Sequence, residues 1–128
     1  MKTAILLALM LITWIASPAH AQTYKYAPEE VTLYGTLVSM PGESPDGRKY
    51  MYPAVQLVTP ISVQRQDDYS PYEGGVLLLQ LVLNQEMMHS YQRLRGKRVN
   101  IIGSLLHSHT GWHHTNVIID VSGVSEAP

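Results

Sequence analysis

The chain has 128 residues, no Cys, nine Lys and Arg against ten Asp and Glu, and a formal net charge of −1. The lack of Cys excludes disulfides, thiol catalysis and thiolate metal sites. The lack of a basic excess argues against a nucleic-acid-binding protein.

The N-terminal segment has the features of a cleavable secretory signal peptide. Lys2 precedes an apolar stretch at residues 4–12, and the helix breaker Pro18 follows. Residues 19–21 supply the small-x-small pattern of signal peptidase, so we expect cleavage after Ala21 and a periplasmic or secreted mature chain. The apolar stretch is shorter than the about 20 residues of a membrane-spanning helix, and no second stretch follows. We therefore expect no membrane anchor in the mature form.

After the signal peptide, the chain is long enough for one domain. Residues 22–30 are polar and contain Pro28, which predicts a flexible leader. We expect a single domain at residues 31–125.

Three segments of that domain have the hydrophobic patterns of strands. Residues 31–37 alternate between apolar and polar, which predicts a half-buried strand with a bend or bulge at Gly35. A second strand is expected from about residue 50 to residue 58. The third, at residues 76–83, is apolar enough to be buried on both faces.

A short helix and two more strands complete the predicted order. Asn84 can cap a helix in which Met87, Tyr91 and Leu94 recur at helical spacing. Strands follow at residues 99–105 and 116–121. A mainly β fold with five strands, and one short helix between strands three and four, predicts a small OB-fold-like barrel. An SH3-like barrel is the alternative.

Histidines are concentrated in the connection between the last two strands, where His107, His109, His113 and His114 lie within eight residues. The chain must reverse near residues 110–111, and either register of the predicted hairpin gathers three imidazoles on one face. Opposed Cβ atoms are about 4.5–5.5 Å apart, close enough for shared ligation. A set of His ligands favours Zn, Cu or Ni over Mg or Ca. We therefore predict a transition-metal site with these four ligands, with zinc or copper as the cofactor.

The same cluster has other interpretations. It could form a surface for a partner protein or ligand, with Trp112 and Thr110 as contact residues, or a pH-responsive face. Thr110 also has an ordinary explanation as a turn residue, and Trp112 as a cap on the barrel. No general base or hydrolytic triad accompanies the cluster, and its spacing matches no catalytic zinc motif such as HExxH, so we expect no catalysis.

Several runs of the sequence carry a resemblance to a known family. These runs are Leu33–Leu37, Pro60–Ile61, Leu94–Val99, Gly103–Leu105 and, most specifically, His107–Thr115. They resemble a family of small exported bacterial proteins known as domain of unknown function 4431. In the family pattern a further His stands at the position of Trp112 and a small apolar residue at the position of Ser108. The resemblance implies a bacterial periplasmic barrel protein and brings no assigned activity.

Two functions follow as expectations. The first is an exported periplasmic binding module whose His-rich hairpin binds a transition metal. The alternative is a protein-interaction module, such as an inhibitor or immunity-type protein, whose His hairpin contacts an exported partner. Oligosaccharide binding is a further use of the OB-fold that the Tyr-rich strands permit. The sequence leaves open the identity of the metal or partner, the oligomeric state and the pathway.

Overall fold

The computed structural model describes residues 22–128, so the signal peptide expected at residues 1–21 lies outside the described residues. The described chain forms six strands and one helix. In chain order they are β1 (Gln22–Tyr24), β2 (Glu30–Glu43), β3 (Lys49–Val63), β4 (Glu73–Val82), α1 (Gln85–Leu94), β5 (Arg98–His107) and β6 (Val117–Glu126).

All six strands belong to one sheet with the order β1-β3-β2-β5-β6-β4, and an additional pairing joins β3 to β4. The pairings therefore run round a closed ring of five strands, to which β1 is added on β3. Two pairs are parallel, β1 with β3 and β4 with β6, and the other pairs are antiparallel. The expected mainly β class with a short helix before the penultimate strand is confirmed.

The core follows from the alternation of side chains along the strands. In β5, Val99, Ile101, Gly103 and Leu105 are buried, and the residues that alternate with them are partly exposed. In β2, Leu33 and Leu37 point to the same core. Because successive strand residues face opposite sides, one apolar set fills the interior and the polar set faces solvent.

The helix begins where the sequence predicts. The Asn84 side chain accepts a hydrogen bond from the backbone N–H of Met87 at 2.8 Å, which satisfies a free donor of the first turn. Helix α1 then buries Met87, Tyr91 and Leu94 on one face. Gly96 follows with a φ of 85°, a left-handed conformation that ends a helix and that glycine adopts at little cost in free energy. No helix within residues 22–128 has the length and apolar character to cross a membrane.

The N-terminal segment differs from the expected flexible leader. Residues 22–30 include β1, and the Tyr26 side chain is buried in the core with its hydroxyl donating to the carbonyl oxygen of Pro71 at 2.7 Å. The backbone N–H of Ala27 donates to the carbonyl oxygen of Leu105 at 2.7 Å. The segment is held against the core because burial of the Tyr26 ring removes apolar surface from water.

The third predicted strand is also less buried than its composition indicates. In β4, burial on both faces is limited to residues 79–81, whereas Leu77 is exposed. The apolar composition of residues 76–83 therefore predicts more burial for the first half of this segment than the structure shows.

Candidate functional site

The His-rich segment is a long loop between two strands. The β5–β6 ladder ends at the pair His107–Val117, so residues 108–116, here called the His loop, lie outside it. The chain reverses at the predicted place: the backbone N–H of Trp112 donates to the Thr110 hydroxyl at 3.2 Å, and that of His113 to the Thr110 carbonyl oxygen at 3.1 Å. Because the ladder stops before the loop, strand register does not place the imidazoles opposite one another.

A buried glutamine of β4 holds the His loop in place. The Gln80 side chain accepts a hydrogen bond from the backbone N–H of His114 at 2.7 Å and donates to the carbonyl oxygen of Trp112 at 3.0 Å. Its backbone N–H donates to the Thr115 hydroxyl at 2.9 Å. Gln80 is only 8% exposed. Its three hydrogen bonds therefore fix the irregular loop to a rigid strand.

The His loop also packs on the turn between β2 and β3, at residues 44–48. A Cβ placed on Gly111 would lie 2.9 Å from Cγ of Pro45 in that turn. A Cβ on Gly42 would lie 3.0 Å from Nε2 of His114 and 2.9 Å from Cδ1 of Tyr52. Both glycines thus permit a close approach that a side chain would prevent.

Four rings meet at this junction, and we call Tyr50, Tyr52, Trp112 and His114 the aromatic cluster. The Tyr52 and His114 rings are stacked with centroids 4.7 Å apart, and the Tyr50 hydroxyl is hydrogen-bonded to Nε2 of His114. The Tyr50 and Trp112 rings meet at 61° with centroids 5.8 Å apart. Tyr52 is buried, whereas Trp112 is 54% exposed. The cluster therefore extends from the sheet to an open surface.

A cleft of about 520 Å³ adjoins the cluster and shares Tyr50 with it. Its lining residues are Pro41, Gly42, Glu43, Lys49, Tyr50 and Met51. Acidic and basic residues are matched there, since Glu43 pairs with Lys49 across the two strands and Asp46 lies 3.1 Å from Arg48. The surface around the cleft is thus close to electrically neutral.

Two of the predicted metal ligands lie together at the tip of the loop. The His109 and His113 rings have centroids 4.7 Å apart, and Nδ1 of His113 accepts from the backbone N–H of His109 at 3.1 Å. Nδ1 of His109 is 3.1 Å from the carbonyl oxygen of His107, which leaves its Nε2 free to act as a ligand. Burial, and then the neighbouring His109 and His114, lower the pKa of His113 below 6.5.

His107 lies on a different side of the loop. Its Nε2 is 3.0 Å from Oε1 of Glu73, and its Nδ1 is 3.2 Å from the carbonyl oxygen of Ser108. The Tyr26 ring is next to it, with centroids 6.4 Å apart. Burial, and then the charge of Glu73, raise the pKa of Tyr26 to about 12. His107 of β5 thus belongs to a separate hydrogen-bonded site with Glu73 of β4.

The four histidines are therefore distributed over three environments. His109 and His113 touch each other, His114 belongs to the aromatic cluster, and His107 pairs with Glu73. Within residues 22–128, no three His, Asp or Glu side chains are placed to hold one metal ion. The metal set predicted from the sequence stays a prediction, with two of its four members in contact.

Sequence reasoning missed the residues that organise the loop. Gln80 is the one polar residue within the apolar run at 76–83, and this position was a usable signal. The sequence marks Tyr50 only as one of several Tyr residues in polar surroundings, and it does not mark Gly42, because their contacts are with His114, more than 60 positions away.

Comparison with known proteins places one match on this region. The family model described as a domain of unknown function (DUF4431) matches residues 78–125. The matched segment begins in β4 just before Gln80, includes α1 and the His loop, and ends in β6. The resemblance expected from the sequence is thus confirmed over this segment. No curated protein matches the chain.

Proposed function

We propose that this protein is an exported, non-enzymatic binding module whose recognition surface consists of the His loop, the turn at residues 44–48 and the adjoining cleft. The observation that carries the proposal is the attachment of the loop through Gln80, which holds an exposed Trp112 in one place. A contact residue that is already fixed costs little conformational entropy on binding. Exposed Trp side chains are frequent anchors of binding surfaces.

The strand order supports an OB-fold-like barrel as the scaffold. In that fold five strands form a partly open barrel, and ligands bind near the connections between strands one and two and between strands four and five. The ring β2, β3, β4, β5 and β6 has its helix between the third and fourth members. Its corresponding connections are the turn at residues 44–48 and the His loop, which pack on each other. In this view β1 is an addition to the scaffold.

Photo-crosslinking from inside the recognition surface tests this proposal. The amino acid p-benzoylphenylalanine, which reacts with C–H bonds of any organic ligand, would replace Trp112 in the full chain in producing cells. The matched control carries it at Tyr69, which is 89% exposed in the loop between β3 and β4. We expect a discrete adduct from position 112 and none from position 69. No adduct, or the same adducts from both positions, would contradict a recognition surface at the His loop.

A transition-metal site is the second candidate function, and the contact between His109 and His113 favours it. Two imidazoles at the loop tip can supply part of a Zn, Cu or Ni site, completed by water or by further ligands. The lowered pKa of His113 supports this candidate, since a metal binds the neutral imidazole.

Equilibrium dialysis of untagged residues 22–128 against ZnCl₂, CuCl₂ or NiCl₂ tests the metal site. About one equivalent of one metal is expected, with a loss of at least about tenfold in affinity after His109→Ala or His113→Ala. His89→Ala is the matched control, because His89 is an exposed histidine on α1. Retention of metal by a variant that carries both His109→Ala and His113→Ala would show that the ion is bound elsewhere.

A further inference from the structure

The exposed part of the aromatic cluster has the chemistry of a sugar-binding platform. Trp112 is more than half exposed and meets Tyr50 at an angle, so the two rings form the sides of a shallow corner. A pyranose ring has an apolar face of C–H groups and a rim of hydroxyls. Such a face packs on the electron-rich face of an aromatic ring, and the hydroxyls remain free for hydrogen bonds.

The adjoining cleft can supply those hydrogen bonds. Its volume of about 520 Å³ is within the about 300–1,000 Å³ usual for ligand sites. Glu43 is available as a hydrogen-bond acceptor and Lys49 as a donor at its wall, whereas Pro41 and Met51 offer apolar contact. Apolar surface mixed with a few directional polar groups suits a polyhydroxylated ligand.

The distribution of charge disfavours a nucleic acid on the same surface. Around the cleft and turn, the acidic residues Glu43 and Asp46 are balanced by the basic residues Lys49 and Arg48: Glu43 lies opposite Lys49 in the strand register, and Asp46 forms a salt bridge with Arg48. Single-stranded nucleic acids are bound in positively charged grooves. The one basic cluster, Arg93, Arg95, Lys97 and Arg98, reaches the sheet at the start of β5. The His loop leaves the other end of that strand, about 30 Å away.

We infer that the recognition surface binds a neutral oligosaccharide, with one sugar ring stacked on Trp112 beside Tyr50 and the next units extending into the cleft. This inference rests on the proposed function and adds the chemical class of the ligand. The fixed geometry of the loop fits the rigid ring of a sugar. The weak charge of the surface fits its neutrality.

The chain contains its own reporter for this interaction. Its two Trp residues are Trp14, which lies in the expected signal peptide, and Trp112. When excited at the long-wavelength edge of Trp absorption, where the eight Tyr residues absorb little, the fluorescence of residues 22–128 therefore reports on Trp112 alone. Cellotetraose, chitotetraose and maltotetraose would each be titrated to millimolar concentration, with a 12-nucleotide oligo(dT) as the comparison. We expect a saturable change of emission with at least one sugar and none with oligo(dT).

Variants of the corner locate the site. Tyr50→Ala should weaken sugar binding at least about tenfold, the effect of losing one stacked ring. Tyr50→Phe keeps the ring and loses only the hydrogen bonds of the hydroxyl to His114 and Trp112, so it should bind more tightly than Tyr50→Ala does. Tyr69→Ala is the matched control, since Tyr69 is 89% exposed in the loop between β3 and β4 and is not part of the recognition surface. Trp112→Ala, followed by calorimetry, should abolish binding without unfolding the protein, because Trp112 lies outside the hydrophobic core and more than half of it is exposed.

The outcomes separate this inference from the proposal on which it rests. No saturable response to any of the three sugars, or a response to oligo(dT) that Tyr50→Ala removes, would overturn the oligosaccharide. A crosslinked adduct at position 112 would still support the recognition surface in that case. Sugar binding that is unchanged in both Tyr50→Ala and Trp112→Ala would also overturn the inference, because it would place the sugar elsewhere.

Discussion

Gln80 lies in the buried part of strand β4, and its side chain also holds the His loop. Its neighbours Leu79 and Leu81 are buried in the core, whereas the Gln80 amide is buried against the His loop. A buried amide is tolerated only when its hydrogen bonds are made, and here both ends of the amide have backbone partners. The position of Trp112 thus depends on a residue 32 positions earlier.

Replacement of Gln80 by Met keeps a similar volume and removes both side-chain hydrogen bonds. The N–H of His114 would then lose its partner, and the carbonyl oxygen of Trp112 would keep only the Tyr50 hydroxyl at 3.5 Å. We expect the free energy of unfolding to fall by about 1–3 kcal/mol, measured by urea denaturation with Trp112 emission as the signal. Gln56→Met, at an exposed position of β3, should stay within about 0.5 kcal/mol of the wild type. Equal losses in the two variants would contradict the role of Gln80.

His113 should make the protein less stable in mild acid. Burial is the first cause of its lowered pKa, and the neighbouring imidazoles add to it. The unfolded chain takes up this proton near pH 6.5, before the folded chain does. The contribution of His113 to stability is therefore complete above about pH 6.5 and is lost as the pH falls through its lower folded pKa.

Two-dimensional NMR of the imidazole protons checks this expectation. The signal of His113 should titrate below 6.5, and His109→Ala should move its pKa upward because one source of positive charge is removed. The pKa should stay below 6.5 in that variant, since burial remains. A His113 that titrates at or above 6.5 in the wild type would contradict this account of the loop.

The elements differ in how far the sequence predicts them. The alternation in β2 and β5, and the cap of α1, depend on local patterns, and these predictions are confirmed. Strand β1 has only three residues, which are too few to show a periodic pattern. It is held by pairing with β3 and by the burial of Tyr26. For this reason the sequence predicts five strands, whereas the structure has six.

The His loop is the element that the sequence predicts least well. The cluster of histidines marks the site, and the reversal near Thr110 is confirmed. The predicted gathering of three imidazoles assumed that the ladder continues into the loop, whereas it ends at His107. The loop conformation instead depends on Gln80, Tyr50 and Gly42, which are distant in sequence and unrelated to any motif.

Helix α1 depends on its cap. Asn84→Ala would remove the acceptor for the backbone N–H of Met87, and we expect a loss of about 0.5–2 kcal/mol in the free energy of unfolding. Thermal or urea denaturation measures the change. Gln85→Ala, at the exposed first position of the helix, should change stability by less than about 0.5 kcal/mol. A loss at Gln85 as large as at Asn84 would argue against the cap as its cause.

For the molecule as a whole, the signal peptide proposed from the sequence predicts where the mature chain begins. Protein isolated from producing cells should start at Gln22, which intact-mass spectrometry and N-terminal peptides can show. Its first residues would then enter β1 directly. A chain that retains Met1, or starts well after Tyr26, would contradict cleavage after Ala21.

The closed ring of pairings has a consequence for how the protein is made. Strand β6 is the last of the six strands in the chain, and it joins β5 to β4. A nascent chain that ends before Val117 leaves both of those strands with an open edge and lacks Ile118 and Ile119 of the buried interior. We therefore expect the sheet to close only after β6 has been synthesised. A translocation channel that accepts only unfolded polypeptide could then transport nearly the whole chain before the sheet closes.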